Sequence, residues 1–478
     1  MAKKPSSGAG GGHGHSRTRA GSSSTHRSSG AAAAHNENGT EGNGGEQNGS
    51  DNALHAGPNQ AGGEEPHHVS GPQFAEPGAT PDPAGFRVKH ASDTAAYKVL
   101  DHEKPLPMGF PPPRGGAEPV LKLADIWGSN GKDVEQQTKA NGQIVFHAVG
   151  DTGNTKGPRT QNEVADKMVS DFDETDPTDI PKFFLHLGDV VYSFGEAAYY
   201  YDQFYDPYRN YPAPIIALAG NHDGMVAPNT NIPTLQAFLD NFCQEEFVIT
   251  PEAGGLLRTA QIQPGVFFTF EAPFVRILAL YSNVLEDPGV ISSDDGKYSG
   301  VPDDQLDYLR SALTRVRTEG YKGALIIAHH HPIYAATGRH GDSPQMQKQI
   351  DGICEEAGVW PHAVLSGHAH DYERFTRARG DAQVPYIVCG NGGHGLPRFT
   401  RTHPAPPRTP AKLDLPKGSD AVTLENYDGK DYGYLRIIAN DRQLRIEYHP
   451  AGDGPDAKTP DDFVTVDLDS RRLVHFAG

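Results

Sequence analysis

The chain has 478 residues, with 61 acidic against 42 basic side chains and a formal charge of −19. Length alone would allow several domains, but the composition argues for one large domain with an extension. The acidic surface disfavours nucleic acid as a partner, and no stretch is long and apolar enough to span a membrane.

Residues 1–84 contain no aromatic side chain before Phe74 and are rich in Gly, Ser, Ala, Asn and His. Such a segment buries too little apolar surface to offset chain entropy, so a disordered low-complexity tail is expected. Its histidines, His13, His15, His26, His35, His55, His67 and His68, have weak metal-binding capacity, though a soluble tail is the simpler reading. Lys3 and Lys4 precede a small, polar stretch where a signal peptide needs an apolar one. The expectation is therefore a cytoplasmic protein, export by a non-classical route, or a misassigned start. Cys243, Cys354 and Cys389 are widely spaced and form no Cys-x-x-Cys pair, so no disulfide framework is expected. The tail carries eight acids and five Lys or Arg, leaving −16 on the remainder. Residues 85–139 hold a proline-rich stretch at 105–113 and a short apolar segment at 120–127, and read as an arm packing on the main domain at 140–478.

Within that domain, apolar runs at 144–149, 183–187, 215–219, 324–328 and 363–365 have the length and composition of buried strands. Between the first two, Val164, Met168 and Phe172 recur every fourth residue and predict a helix over 161–172. That makes a βαβ unit and a parallel strand pair. Tyr199, Tyr200, Tyr201, Phe204 and Tyr205 read as a helix face packing on the sheet. Near the far end, runs at 434–438 and 444–448 flank Asn440-Asp441-Arg442 and predict a hairpin that closes a second sheet.

Each of the five apolar runs ends in a polar cluster. In order these are Gly150-Asp151-Thr152-Gly153, Gly188-Asp189-Val190-Val191-Tyr192, Gly220-Asn221-His222-Asp223, His329-His330-His331-Pro332 and Gly367-His368-Ala369-His370. In parallel sheets, ligands gather beyond the carboxyl ends of strands, where all five sit. One Gly-Asp pair alone is an ordinary turn; five clusters in series are not. The donors divide unevenly. Asp151, Tyr192 and one imidazole can serve one metal, and Asn221 with two imidazoles the other, with Asp189 bridging. Anionic oxygens, a phenolate included, suit Fe(III), whereas the imidazole-rich set suits Zn(II), Fe(II) or Mn(II). A small positive excess remains after the three anionic donors and one hydroxide are counted, enough to attract phosphate. Two metals about 3.5–4 Å apart clamp the oxygens of an in-line displacement and acidify a bound water. Activity at acidic pH is expected.

At these residues the sequence resembles the calcineurin-like metallophosphoesterases, and within them the purple acid phosphatases. Most of the superfamily has Asp-x-His at the first cluster. Here Gly153 stands at the histidine position and Tyr192 follows the second aspartate by three residues, the exchange that marks the purple branch. The resemblance implies Asp151, Asp189, Tyr192 and His370 as iron ligands, and Asp189, Asn221, His330 and His368 around the divalent metal. It implies His222 and His340 as catalytic residues that hold phosphate and protonate the leaving group. It also touches the aromatic stretch at 199–208, Asp304-Gln305-Leu306-Asp307-Tyr308-Leu309 and Gly390-Asn391-Gly392-Gly393, covering roughly residues 140–450. The chain departs from the pattern in its N-terminal third, in the extra histidines His329 and His331, and in a Pro-rich insertion at 400–416. His394 reads equally as a substrate neighbour or a turn residue.

The fold implied is α/β, a four-layer α/β/β/α sandwich of two mixed sheets flanked by helices. The function implied is a binuclear metal-dependent acid phosphatase hydrolysing phosphate monoesters by attack of metal-bound hydroxide. Its partner would be a small phosphate ester, with no nucleic acid and no membrane. Two alternatives stand beside it: a divalent-metal phosphodiesterase or nucleotidase of the same superfamily, and a non-catalytic metal-binding or interaction protein.

Overall fold

In the computed structural model the described residues are 65–74, 86–91, 94–101, 105–173, 175–336, 340–397 and 405–474. Most of the expected tail, with His13, His15, His26, His35 and His55, lies outside them, as does the start of the Pro-rich insertion.

Two mixed sheets hold the core. The seven-stranded one runs Arg472–Leu473, Asp462–Asp467, Gln443–Pro450, Gly433–Asn440, Gln143–Val149, Phe184–His186, Ile215–Ala217. Its last three strands are mutually parallel and carry the first three polar clusters at their carboxyl ends. The nine-stranded sheet places Ala324–Ala328 beside Ala363–Ser366, also parallel, and these carry the fourth and fifth clusters. Residues 144–149 and 324–328 are buried throughout, as parallel strands covered on both faces must be. The sheets meet face to face: Phe183 stacks on Phe146 at 4.6 Å within one and contacts Phe270 of the other at 4.7 Å. Helices cover the outer faces. Arg159–Ser170 buries Val164, Ala165 and Met168 against the first sheet, and Tyr308 of Asp304–Glu319 packs on Phe267 of the second. This is the four-layer α/β/β/α arrangement.

Three local expectations are revised. The helix predicted over 161–172 ends at Ser170, because Asp171 turns inward to meet His147 Nε2 at 3.1 Å, the Tyr434 hydroxyl at 2.6 Å and Lys458 Nζ at 2.8 Å. Phe172 falls in the following 3-10 turn and packs edge-on against Tyr211. The hairpin at 433–450 does not close a second sheet. It pairs antiparallel with Gln143–Val149 and so extends the sheet of the first three clusters. The aromatic stretch forms a 3-10 turn at Ala197–Tyr199 and a π-helical turn at Tyr201–Tyr205, with every ring buried.

The N-terminal segments are stitched to this body. His67–His68 pairs antiparallel with Val248–Ile249, and Phe74 meets Trp127 edge-on at 5.1 Å. Val120–Lys122 lies parallel to Phe268–Ala272 as the edge of the nine-stranded sheet, with Leu121, Leu123 and Ile126 buried. Among the described residues no helix is long and apolar enough to cross a membrane.

Candidate metal centre

All five clusters converge beyond the carboxyl ends of their strands. Asp151 and Asp189 leave their strands with φ of 56° and 55°, and His368 and His370 follow with 72° and 59°. Left-handed backbone at non-glycine residues costs roughly 1–3 kcal/mol each and persists where the surroundings over-determine it. Here they do. Asp151 Oδ2 accepts the His368 N–H at 2.7 Å, the Asp151 N–H donates to Gly188 O at 2.9 Å, and Asp189 Oδ1 accepts the His222 N–H at 2.9 Å. Asp223, a residue whose role is silent in the sequence, joins the second cluster to the third. Its carboxylate accepts the N–H groups of Val190 at 3.0 Å, Val191 at 3.2 Å and Gly220 at 2.8 Å.

The donor atoms fall into two overlapping groups. On one side, Tyr192 Oη stands 3.1 Å from Asp151 Oδ1 and 3.4 Å from His370 Nε2, with His370 Nε2 3.4 Å from Asp151 Oδ1. On the other, His330 Nε2 stands 3.1 Å from Asn221 Oδ1 and 3.3 Å from Asp189 Oδ2. Ligand atoms of Asp151, Asp189 and His370 lie within 4.8 Å of one another, as do those of Asp189, His330 and His368. Asp189 belongs to both groups. Its Oδ2 is buried with no hydrogen-bond partner among the described residues, as is Asn221 Nδ2. Backbone carbonyls orient the rings: His330 Nδ1 donates to Leu187 O at 2.8 Å, which turns Nε2 toward the other donor atoms. His368 Nε2 donates to Glu286 O at 2.6 Å, leaving Nδ1. Two carboxyl groups, an amide oxygen, three imidazoles and a phenol, with a carboxylate oxygen of Asp189 that has no hydrogen-bond partner among the described residues, fit a pair of cations.

The electrostatics agree. Burial would raise the Asp189 carboxyl, but His330, His222 and His368 hold it well below the usual carboxylate range. Burial would lower the His330 imidazole, yet Asp189 and Asp151 lift it to about 10. The buried Tyr192 phenol is pushed well above its ordinary value, first by desolvation and then by Asp151 and Asp189. Only a strongly polarising cation would draw a phenolate from it. Gly153 explains how the tyrosine fits: a Cβ there would come within 2.3 Å of Gln203 Oε1, 2.6 Å of Val190 O and 3.1 Å of the Tyr192 ring. A histidine at this position and this placement of Tyr192 exclude one another.

Both expected catalytic histidines reach the centre. His222 donates from Nδ1 to Ser193 O at 2.7 Å, and its Nε2 lies 3.8 Å from Glu286 Oε1 at the rim. The His340 ring lies 4.5 Å from His368 and 5.0 Å from His370. His394, read from sequence as equally a turn residue, stacks on Tyr192 at 3.7 Å and donates to Gly153 O at 2.8 Å. The glycine run before it was the only signal. His331 is tied at both nitrogens, to Ser282 Oγ at 2.7 Å and Leu285 O at 2.6 Å. His329 turns away to His331 O at 2.6 Å. Neither stands among the donor atoms of the two groups.

Residues 144–372 match the calcineurin-like phosphoesterase family model. Solved structures that match the chain include a purple acid phosphatase from yellow lupin (Lupinus luteus) seeds, 14% identical with a TM-score of 0.45, covering 69% of this chain and 54% of that one. GAP50, the anchor in the inner membrane complex of Plasmodium, is 13% identical with a TM-score of 0.44, covering 69% and 91%. PhoD is 12% identical with a TM-score of 0.42, covering 70% and 71%. No curated protein sequence matches the chain. The chain therefore pairs a segment that matches the phosphoesterase model with His/Asp clusters able to bind metal.

Proposed function

We propose that this protein is a binuclear acid phosphatase of the purple type that hydrolyses small phosphate monoesters. In this reading Asp151, Asp189, Tyr192 and His370 hold Fe(III), and Asp189, Asn221, His330 and His368 hold Zn(II), Fe(II) or Mn(II). The observation that carries it is the Tyr192 hydroxyl 3.1 Å from Asp151 Oδ1 and 3.4 Å from His370 Nε2, in space that Gly153 leaves open. A metal pair would supply the charge that draws phosphate in and the polarisation that activates water. The chain's own residues do the rest. His222, with Nδ1 fixed on Ser193 O, presents Nε2 at the rim, where it can hold a phosphate oxygen or pass a proton to the departing alkoxide. His340 approaches from the opposite loop, which the Gly341 N–H ties to Asp287 Oδ1 at 2.6 Å. His394 packs its face on Tyr192 and keeps water from the phenol.

A second reading rests on one observation. Burial and two carboxylates hold the Tyr192 phenol protonated, which suits a divalent pair that leaves the tyrosine uncoordinated and a phosphodiesterase or nucleotidase activity. The visible spectrum separates the two. Iron-loaded, oxidised protein should show a phenolate-to-iron charge-transfer band that Tyr192→Phe abolishes. A colourless, fully loaded protein would transfer the assignment to the divalent reading.

A further inference from the structure

The geometry points to Gln203 as a positioning residue for Tyr192, held in register by the N-terminal arm at 86–91 and 94–101, which makes the arm part of the tyrosine side of the metal centre. Gln203 is wholly buried and grips the Tyr192 backbone from both sides: Oε1 accepts the Tyr192 N–H at 2.9 Å and Nε2 donates to Tyr192 O at 3.0 Å. Its Oε1 also fills the space a side chain at 153 would take. One amide thus fixes the peptide units on either side of the Tyr192 Cα and occupies the room released by Gly153. The direction of the phenol follows from that backbone, because a ring attached to a clamped Cα has only its own two torsions left.

The arm holds the turn that carries Gln203. Asp202, its buried neighbour, accepts the backbone N–H groups of Arg87 at 2.8 Å and Val88 at 3.0 Å. The Arg87 guanidinium lies 3.4 Å over the Tyr201 ring. His90 stacks on Tyr199 at 3.9 Å and reaches Gln203 Nε2 with Nδ1 at 3.3 Å, while the Ala91 N–H donates to the Tyr199 hydroxyl at 2.9 Å. A second contact secures the chain just after Tyr192. The Tyr97 hydroxyl donates to Glu196 Oε1 at 2.8 Å, and Glu196 Oε2 accepts the Phe194 N–H at 3.0 Å. Arm residues therefore brace the Tyr192 loop at both ends, through Gln203 on one side and Glu196 on the other. Groups that orient a ligand in this way typically change metal affinity by roughly 10–100-fold when they are removed.

The inference uses the proposed role of Tyr192 for its consequence, but the clamp can be tested without metal. In the full-length, metal-free chain, amide hydrogen exchange at Tyr192 should accelerate roughly tenfold in Gln203→Met, which keeps the volume and removes both hydrogen bonds. Asp202→Ala, which removes the hydrogen bonds from the Arg87 and Val88 N–H groups, should accelerate the same amide while the strand at 215–217 is unaffected. Cooperative thermal unfolding of both variants identifies any loss of fold. Exchange at Tyr192 that stays unchanged in both folded variants overturns the inference. On iron loading, a shifted charge-transfer band in Gln203→Met at unchanged iron content is the expected spectroscopic counterpart. Colourless wild-type protein with accelerated exchange would keep the clamp and remove the phenolate reading.

Discussion

Four of the seven candidate donors, Asp151, Asp189, His368 and His370, sit on left-handed backbone that other residues tolerate poorly. The chain accepts that strain because it turns each side chain back over the end of its strand. Asp189 is the residue on which both groups depend, since its Oδ2 lies buried between them without another partner. Under the proposed assignment, Asp189→Asn puts a neutral amide where the shared carboxylate stands and should empty both sites, whereas Tyr192→Phe should affect the tyrosine side alone. Metal analysis after dialysis distinguishes these outcomes, and retention of both metals by Asp189→Asn would remove the bridge. The candidate donors were legible in the sequence because each follows closely on an apolar run. Gln203 and Asp223 were not, because an amide or carboxylate that bonds backbone leaves no pattern of its own, and His394 was visible only as a histidine after glycines.

Among the elements, the hairpin at 433–450 shows how pairing partner and element type are separate questions. Its alternation made both strands legible, but the choice of sheet depends on which edge is open, and the antiparallel edge of Gln143–Val149 takes it. The hairpin also carries a buried carboxylate with a consequence for stability. Glu447 would be raised by burial, but His449, Arg445 and Arg436 bring it down from 4.5 to about 2. A depressed folded-state value means its stabilisation is complete above about 4.5 and is lost as the pH falls through about 2. The shift corresponds to on the order of 3 kcal/mol. In denaturant titrations, the stability gap between the parent and Glu447→Gln should therefore be widest above pH 4.5 and close toward pH 2. A gap independent of pH would show that the arginines act through packing instead.

For the whole molecule, the formal charge of −19 would oppose an anionic phosphate of the kind proposed, unless bound cations reverse the field at the candidate site. Glu286 and Asp287 extend that field to the rim, 3.8 Å from His222 Nε2 and 3.6 Å from His368 Nε2. Highly charged phosphates should be bound less well than a simple monoester at low ionic strength. The difference in KM should shrink as salt shortens the Debye length to about 8 Å near 0.15 M. A KM ratio insensitive to salt would place the discrimination in contacts within the site.

The sequence by itself determined the strands, the order of the polar clusters and the resemblance to the phosphoesterase pattern. Those are local properties, set by periodicity and by residues close in the chain. Only the tertiary structure decided that Gln203 and Gly153 share one small volume with Tyr192, that His394 lies on the phenol, and that segments before residue 130 form a sheet edge and brace the metal loop. Each of these joins residues far apart in sequence through hydrogen bonds and packing, and such contacts depend on how the sheets and loops close on one another.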